Sequence, residues 1–241
     1  MIPKIIHYCW FGGNKYPKLV KKCILSWKKR LPDFQIKCWN EDTFNLAHAP
    51  QYVKEAYQKQ KYAFVSDYVR LYALYHEGGV YLDTDVEVCK DFTNLLNSDV
   101  VMGYESKVQI STAFIASVPQ SVLIKKLLDS YYVRHFIRED ASLDMTTNVS
   151  YISAFLRAHG IELNGEYIKS SDLELYPQEY FSPRSWEDGK YHITGNTYAI
   201  HYFQGSWHSP FTKFLSIFCS NYRVYQIAGY KEKIIKLIRR R

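Results

Sequence analysis

Residues 61–85 constrain this chain more than any other stretch. Phe64, Val65, Tyr68, Leu71, Tyr72 and Tyr75 recur at helical spacing, which predicts a helix over 61–77. Gly78-Gly79 then ends the run as a helix C-cap would. Most of the circumference is apolar, so the helix is expected to be buried apart from a narrow wedge of Ser66, Asp67 and Arg70. A strand, Val80 to Leu82, follows at once and leads into Asp83-Thr84-Asp85. Open α/β sheets place their ligands at the carboxyl ends of their strands, which is where these carboxylates would emerge.

The carboxylates themselves suggest chemistry. Asp83, Asp85 and Glu87 alternate, so an extended backbone would turn all three to one face. Two carboxylates about 4 Å apart repel by roughly 4 kcal/mol at an effective dielectric near 20. Water, protonation, a basic partner or a cation must offset that. Oxygen ligands at this spacing suit Mg²⁺ or Mn²⁺, and such an ion could share its coordination with phosphate oxygens. A solvated turn is the plain reading of D-x-D alone; delivery from a buried strand favours the metal. Asp67 and Arg70, three apart, could be a surface ion pair of a few tenths of a kcal/mol. Their otherwise apolar helix instead suggests a polar wedge that meets sugar hydroxyls or phosphate.

The rest of the chain extends the α/β pattern. Residues 4–10 read as a first strand ended by Gly12-Gly13, Pro17 opens a helix to about Arg30, and Phe34 to Trp39 reads as a second strand. That order predicts a parallel pair with a crossover helix. Further strands are expected at 99–104 and 112–116, helices at 120–135 and 148–159, and a late strand from Tyr198 to Phe203. Residues 160–195 read as irregular. The segment from Phe211 shows Phe211, Phe214, Leu215 and Phe218 at amphipathic spacing, with basic residues following.

Composition narrows the partners. Of the +7 net charge, +5 lies in residues 231–241, so a general nucleic-acid footprint is not expected. The basic end could lie on anionic lipid or pack on the domain with its charges in water. Twenty-two Tyr and five Trp offer amphipathic surfaces for sugars and bases, although most are expected to serve packing. Five widely spaced Cys without a CxxC pair argue against a disulfide framework and structural zinc. No secretory leader or run of ~18 apolar residues is evident, so a cytoplasmic protein is expected, peripheral at the inner face of the plasma membrane if the tail binds lipid.

With these motifs in view, the chain resembles the DXD-motif "sugar-binding region" glycosyltransferases. Ser66-Asp67-Tyr68-Val69-Arg70, Leu71 to Tyr75 and Gly78-Gly79-Val80-Tyr81-Leu82-Asp83-Thr84-Asp85 carry the specific part of the likeness. Ile2 to Gly13 and Ile200 to Trp207 are also similar. The initiating α-mannosyltransferases, the bacterial capsular-polysaccharide glycosyltransferases and, more distantly, the clostridial glucosylating toxins share this pattern.

The resemblance implies an α/β fold of GT-A type: a single domain over 1–210, a mixed but mostly parallel central sheet flanked by helices, and 211–241 as a basic amphipathic helical segment. It implies a retaining, metal-dependent transfer of a hexose from a nucleotide sugar, with UDP favoured, to an oligosaccharide or lipid-linked acceptor in surface or capsular polysaccharide synthesis. By position, Asp83, Asp85 and His201 would hold the Mn²⁺ or Mg²⁺, with His208 a second histidine candidate. Trp10 would stack on the base, and Asp67 and Arg70 would hold the donor sugar. Tyr8, Ser66, Tyr81, Asp83, Ser206 and Trp207 complete the implied donor contacts; Asp67, Arg70 and Asp85 are the implied catalytic set. Where relatives often carry Thr-Gly-Pro, this chain reads Met145-Thr146-Thr147-Asn148, so acceptor identity does not transfer. Asp144 and Asn148 are sugar-contact candidates, with a helix N-cap the plainer role for Asn148 or a neighbour. The rival readings are a metal-dependent nucleotidyltransferase or sugar-phosphate transferase, and a non-catalytic carbohydrate-binding protein. Gly12-Gly13 lacks the pattern and the Lys of a P-loop.

Overall fold

A parallel β-α-β unit opens the chain, as the alternation of elements predicts. Strand β1 (Ile5–Cys9), helix α1 (Lys18–Arg30) and strand β2 (Gln35–Trp39) form it, with Pro17 at the N-cap of α1. This computed structural model describes residues 1–204; Ser206, Trp207, His208 and the basic segment 211–241 lie outside the described residues. Helix α2 (Gln51–Gln58), absent from the sequence reading, precedes α3 (Tyr62–Glu77). Strands β3 (Gly79–Leu82) and β4 (Val86–Val88) follow, then the hairpin β5 (Val100–Ser106) and β6 (Gln109–Ser117). The expected helix over 120–135 is a shorter α4 (Val122–Asp129) that tightens into a 3₁₀ turn at Ser130–Val133. Helix α5 (Asn148–Ala158) has Thr147 as its N-cap, which accepts from the Ser150 N–H.

Residues 160–195 are more regular than their sequence suggests. They hold β7 (Ile168–Lys169), β8 (Leu173–Tyr176) and a short helix α6 (Gln178–Phe181). Strand β8 is fully buried and runs parallel to β5. Its Glu174, 3% exposed, hides the strand from a hydrophobicity reading. Ser98, Tyr167 and Tyr176 donate to that carboxylate, and Lys169 lies 3.7 Å away.

The seven-stranded sheet has the order β2-β1-β3-β6-β5-β8-β7. Strands β1, β2, β3, β5 and β8 point one way, while β6 and β7 oppose them. The sheet is therefore mixed and mostly parallel, as expected. Side chains alternate across it. Tyr81 and Met102 pack with Leu71, Ile124 and Ile152 of α3, α4 and α5 on one face. Val80, Leu82 and Val101 pack with Cys23, Trp27 and Phe181 of α1 and α6 on the other. The four described cysteines are free thiols, and no helix among the described residues is long and apolar enough to cross a membrane.

Two devices deliver the carboxylates. Gly79 takes φ +100°, and a Cβ there would lie 2.6 Å from the Ile5 carbonyl oxygen, so only glycine lets β3 start flush against β1. Trp39 donates to Nδ1 of buried His7 at 3.1 Å, which leaves Nε2 to donate to the Gly78 carbonyl at 2.8 Å. Burial pushes the His7 pKa down, keeping it neutral in this relay.

The expected late strand is present but shorter. Strand β9 (Ala199–His201) does not join the large sheet; it pairs antiparallel with β4 in a two-stranded sheet. Helix α1 anchors that sheet, since Trp27 Nε1 donates to the Val86 carbonyl at 2.7 Å and Ser26 Oγ accepts from the Val88 N–H at 2.9 Å.

Candidate active site at the carboxyl ends of the strands

The site begins where β3 ends. Asp83 N–H donates to the Ala113 carbonyl at 2.9 Å, and Val86 N–H donates to the Asp83 carbonyl at 3.0 Å, closing a turn through Thr84-Asp85. That turn breaks the extended backbone on which the alternation of Asp83, Asp85 and Glu87 relied. Glu87 therefore leaves the cluster: it pairs with Lys22 at 2.6 Å and accepts from Tyr202. Strand β9 supplies the third member instead. The register Val86↔His201 sets His201 beside the turn, so that ligand atoms of Asp83, Asp85 and His201 lie within 4.8 Å of one another.

The backbone after β9 closes over Asp85. Tyr202 N–H donates to the Asp85 carbonyl at 3.0 Å, and Gln204 N–H donates to its Oδ2 at 2.8 Å. His201 Nε2 lies 3.4 Å from Asp85 Oδ1, and its buried Nδ1 has no hydrogen-bond partner. Burial works to raise the Asp85 carboxyl pKa, but His201 and the Gln204 N–H outweigh it and hold the carboxyl below its usual value. Burial opposes charge on His201, yet Asp85, Asp83 and Glu105 lift the ring above its ordinary pKa. This mixed carboxylate–imidazole set suits a divalent ion. The carboxylates fit Mg²⁺ or Mn²⁺, and the imidazole tilts the choice toward Mn²⁺.

Asp83 is held by a second group of residues. Tyr81 donates to its Oδ1 at 2.9 Å, and Arg70 Nη2 lies 3.5 Å from the same oxygen. Arg70 Nη2 also reaches Asp67 Oδ1 at 2.8 Å, and its Nη1 donates to the Thr112 carbonyl at 2.6 Å. The guanidinium sits 4.6 Å from the Tyr81 ring centroid. Arg70, 4% exposed, is thus engaged on all sides by its own chain. Burial pushes the Asp67 pKa up to about 6, with Arg70 opposing the rise. Ser66 Oγ donates to the Tyr62 carbonyl at 3.0 Å, and Tyr8 is buried with its hydroxyl 3.1 Å from that of Tyr16. Of the expected donor contacts, Tyr8, Ser66, Tyr81 and Arg70 face neighbours within the fold, whereas Trp10 reaches an open cleft.

That cleft of about 640 Å³ lies at the ends of β1 and β2 and is lined by Trp10, Gly12, Tyr16, Tyr57 and Tyr62 among others. Trp10 meets Tyr16 edge-on with centroids 4.9 Å apart and donates to the Asn14 carbonyl at 2.6 Å. Gly12 has φ +88°, and a Cβ there would fall 2.4 Å from the Tyr62 ring. Tyr57 and Tyr62 were not singled out in the sequence because nothing in their spacing marks them.

Glu105 was also missed. It occupies a register irregularity between Tyr104 and Ser106, where β5 and β6 lose step, and bulges of this kind re-aim side chains. Burial pushes its carboxyl up to about 7; His201 opposes the rise and Asp83 adds to it. The folded chain thus keeps a proton that the unfolded chain releases near pH ~4.3. The associated stability is present below that pH and lost as pH rises through about 7. In chelator, Glu105→Gln is expected to raise stability at pH 8 by ~2 kcal/mol, after discounting partial exposure, and to change little at pH 5. Thermal melts at the two pH values check this, and an equal effect at both would contradict it.

The fold is of the GT-A glycosyltransferase type, and the sequence likeness to glycosyltransferases agrees with it. Residues 17–102, from α1 into β5, match the family model described as "Glycosyltransferase sugar-binding region containing DXD motif". Over 233 residues the chain is 26% identical to an uncharacterized glycosyltransferase of Acanthamoeba polyphaga mimivirus, covering 92% of this chain and 89% of the viral protein. It is 24% identical over 207 residues to mannosyl phosphorylinositol ceramide synthase of Saccharomyces cerevisiae, covering 78% of this chain and 54% of the yeast protein, so it spans about half the latter's length. Among solved structures, the PaToxG glycosyltransferase matches with a TM-score of 0.50 at 22% identity, over 66% of this chain and 70% of that one, a likeness of fold.

Proposed function

We propose that this chain is a divalent-metal-dependent, retaining glycosyltransferase that moves a hexose from a nucleotide sugar, with UDP the favoured nucleotide, to a saccharide acceptor. One observation carries the reading: β3 and β9 bring Asp83, Asp85 and His201 together at the carboxyl end of the sheet. Their donor set and the unpartnered His201 Nδ1 fit Mn²⁺ or Mg²⁺. When bound, the ion supplies Lewis-acid stabilisation of the charge that grows on the departing diphosphate.

Every other role falls to side chains of this chain. Trp10, at the mouth of the aromatic cleft, offers a face for the base. Asp67 accepts from a hydroxyl of the transferred sugar. Arg70 and Tyr81 fix Asp83 by two contacts to one oxygen, so the carboxylate is pre-set and needs no reorganisation during the reaction. Arg70 therefore acts through Asp83 rather than on phosphate directly. The acceptor hydroxyl attacks from the side of the leaving group and gives its proton to a phosphate oxygen, so no strong protein base is required.

Release of free nucleoside diphosphate from a panel of UDP- and GDP-sugars tests the reading, with Mn²⁺ and with EDTA. Release from one donor that falls at least ~100-fold in EDTA is expected. No release from any donor, with no binding of UDP or GDP by calorimetry, would return the chain to the carbohydrate-binding alternative.

A further inference from the structure

Charge is divided unevenly over the fold. Residues 1–204 hold equal numbers of basic and acidic side chains, yet seven of the basic ones fall within 15–30, a stretch without a carboxylate. All seven are exposed. Among the described residues only Lys22 of the seven has an acidic partner, Glu87 at 2.6 Å. Helix α1 turns Val20, Cys23 and Trp27 inward, so its outer face carries the charge. Leu25 lies at the centre of that face and is 64% exposed. Lys21, Lys22, Lys28 and Lys29 stand three and four residues to either side of it, which surrounds one leucine with ammonium groups. A groove of about 330 Å³ runs between this face and β4, lined by Lys22, Leu25, Lys29, Arg30 and Glu87 among others.

Helix formation explains part of this pattern. Lys28, Lys29 and Arg30 in the last turn complement the helix dipole. Lys18 and Lys21 lie in the first turn, where the dipole disfavours cations, and Lys18 stands four residues from Lys22, a like-charged spacing that destabilises a helix. That half of the face therefore costs the fold stability and calls for an anionic counterpart outside it. Its chemistry suits a bilayer surface better than a nucleic acid. Lysines with long apolar stems around one exposed leucine let the leucine enter the headgroup layer while the ammonium groups meet lipid phosphates. No Arg, Asn or Gln, the side chains that grip a phosphate or a base in two places, lies between 15 and 29. The rest of the described chain is net negative, which repels a polyanion that wraps it but not a flat surface that touches one face.

We propose that the outer face of α1 docks the folded chain on an anionic lipid bilayer, with Leu25 inserted among the headgroups and the Lys29–Arg30 end of the groove holding a lipid phosphate. This surface is distinct from the basic segment 231–241. It adjoins the candidate active site at two points. Lys15 lines the aromatic cleft, and the Tyr202 hydroxyl, 3.1 Å from Lys22 Nζ, belongs to the residue whose N–H holds the Asp85 carbonyl. A bilayer on α1 therefore brings the mouth of the cleft close to the membrane surface.

Flotation of the full chain with phosphatidylcholine vesicles, with and without phosphatidylglycerol, tests this without donor or metal, so its result is independent of the glycosyl-transfer reading. Wild type is compared with the triple variant Lys18→Gln, Lys21→Gln and Lys29→Gln, with Leu25→Ser, and with a tail variant carrying Lys231→Gln, Lys233→Gln and Lys236→Gln. A thermal melt of each checks folding. Wild type is expected to bind only the anionic vesicles and to leave them as salt screens the charges. Affinity should fall roughly thirtyfold or more in the α1 triple variant and about threefold or more in Leu25→Ser, with melting temperatures near that of wild type. Leu25→Ser leaves the charge intact, so it separates insertion into a bilayer from attraction to any polyanion. Failure of wild type to bind anionic vesicles would overturn the proposal. So would wild-type affinity in both α1 variants with binding lost in the tail variant, which would assign the lipid contact to 231–241. Duplex DNA bound more tightly than vesicles, and equally well by Leu25→Ser, would overturn it in favour of a nucleic-acid face.

Discussion

An Asp85→Ala variant is expected to fold normally and to release nucleoside diphosphate at least ~10³-fold more slowly than wild type, about 4 kcal/mol of lost transition-state stabilisation. The two consequences have separate causes. Asp85 contributes little to the apolar core, because it lies on a turn between β3 and β4 and, among the described residues, its side chain meets His201 and the Gln204 N–H. Removing it relieves the repulsion between two nearby carboxylates but also strands His201 and the Gln204 N–H, so a drop in melting temperature of a few degrees is expected while the fold is kept. Turnover depends on it because Asp85 is the member of the cluster held from both sides, by His201 and by the backbone after β9. Asp83 and His201 alone leave a two-ligand site. Nucleoside diphosphate release at saturating Mn²⁺, alongside a thermal melt, reads both quantities. Wild-type turnover in a folded Asp85→Ala variant would sink the assignment of Asp85 to the metal.

Arg70→Leu is expected to cost about 3–5 kcal/mol of stability, because removing one partner of a buried ion pair strands the other. Here it strands two, Asp67 and Asp83, and leaves the Thr112 carbonyl without its donor. For a domain of this size the melting temperature should drop by roughly 10 °C. Arg70→Lys keeps the charge but loses the fork that spans Asp67, Asp83 and Thr112. It should be destabilised less, while binding Mn²⁺ more weakly because Asp83 is no longer fixed. A melting temperature for Arg70→Leu within ~2 °C of wild type would show that the pair is not the buried support described above.

How far the sequence could be read depended on how local each signal was. The helix over 61–77, its glycine stop and the strand into Asp83 were legible because a 3.6-residue period, a cap and a two-residue period each act within one stretch of chain. The β-α-β opening was legible for the same reason. Strand β8 was not, because Glu174 interrupts its apolar run and only Ser98, Tyr167 and Tyr176 make that burial tolerable. Glu105 was missed because its placement comes from a register slip between β5 and β6, which no spacing in the sequence announces. The cap expected at Asn148 or a neighbour falls to Thr147, while Asn148 turns inward and is 4% exposed.

The sequence by itself determined the class of fold and the segment that ends in the two aspartates, since periodicity, glycine stops and charge placement are properties of adjacent residues. It also placed Arg70 on the correct helix. Only the tertiary structure decided which groups meet. The turn at Thr84-Asp85 removed Glu87, and pairing of β4 with β9 brought His201 in from more than a hundred residues away. The interior arrangement also set Arg70 against Asp83 as well as Asp67. The physical reason is the same in each case. Side-chain direction at a turn, strand pairing at long range and the neutralisation of a buried charge depend on what the rest of the chain packs against, and no local pattern carries that information.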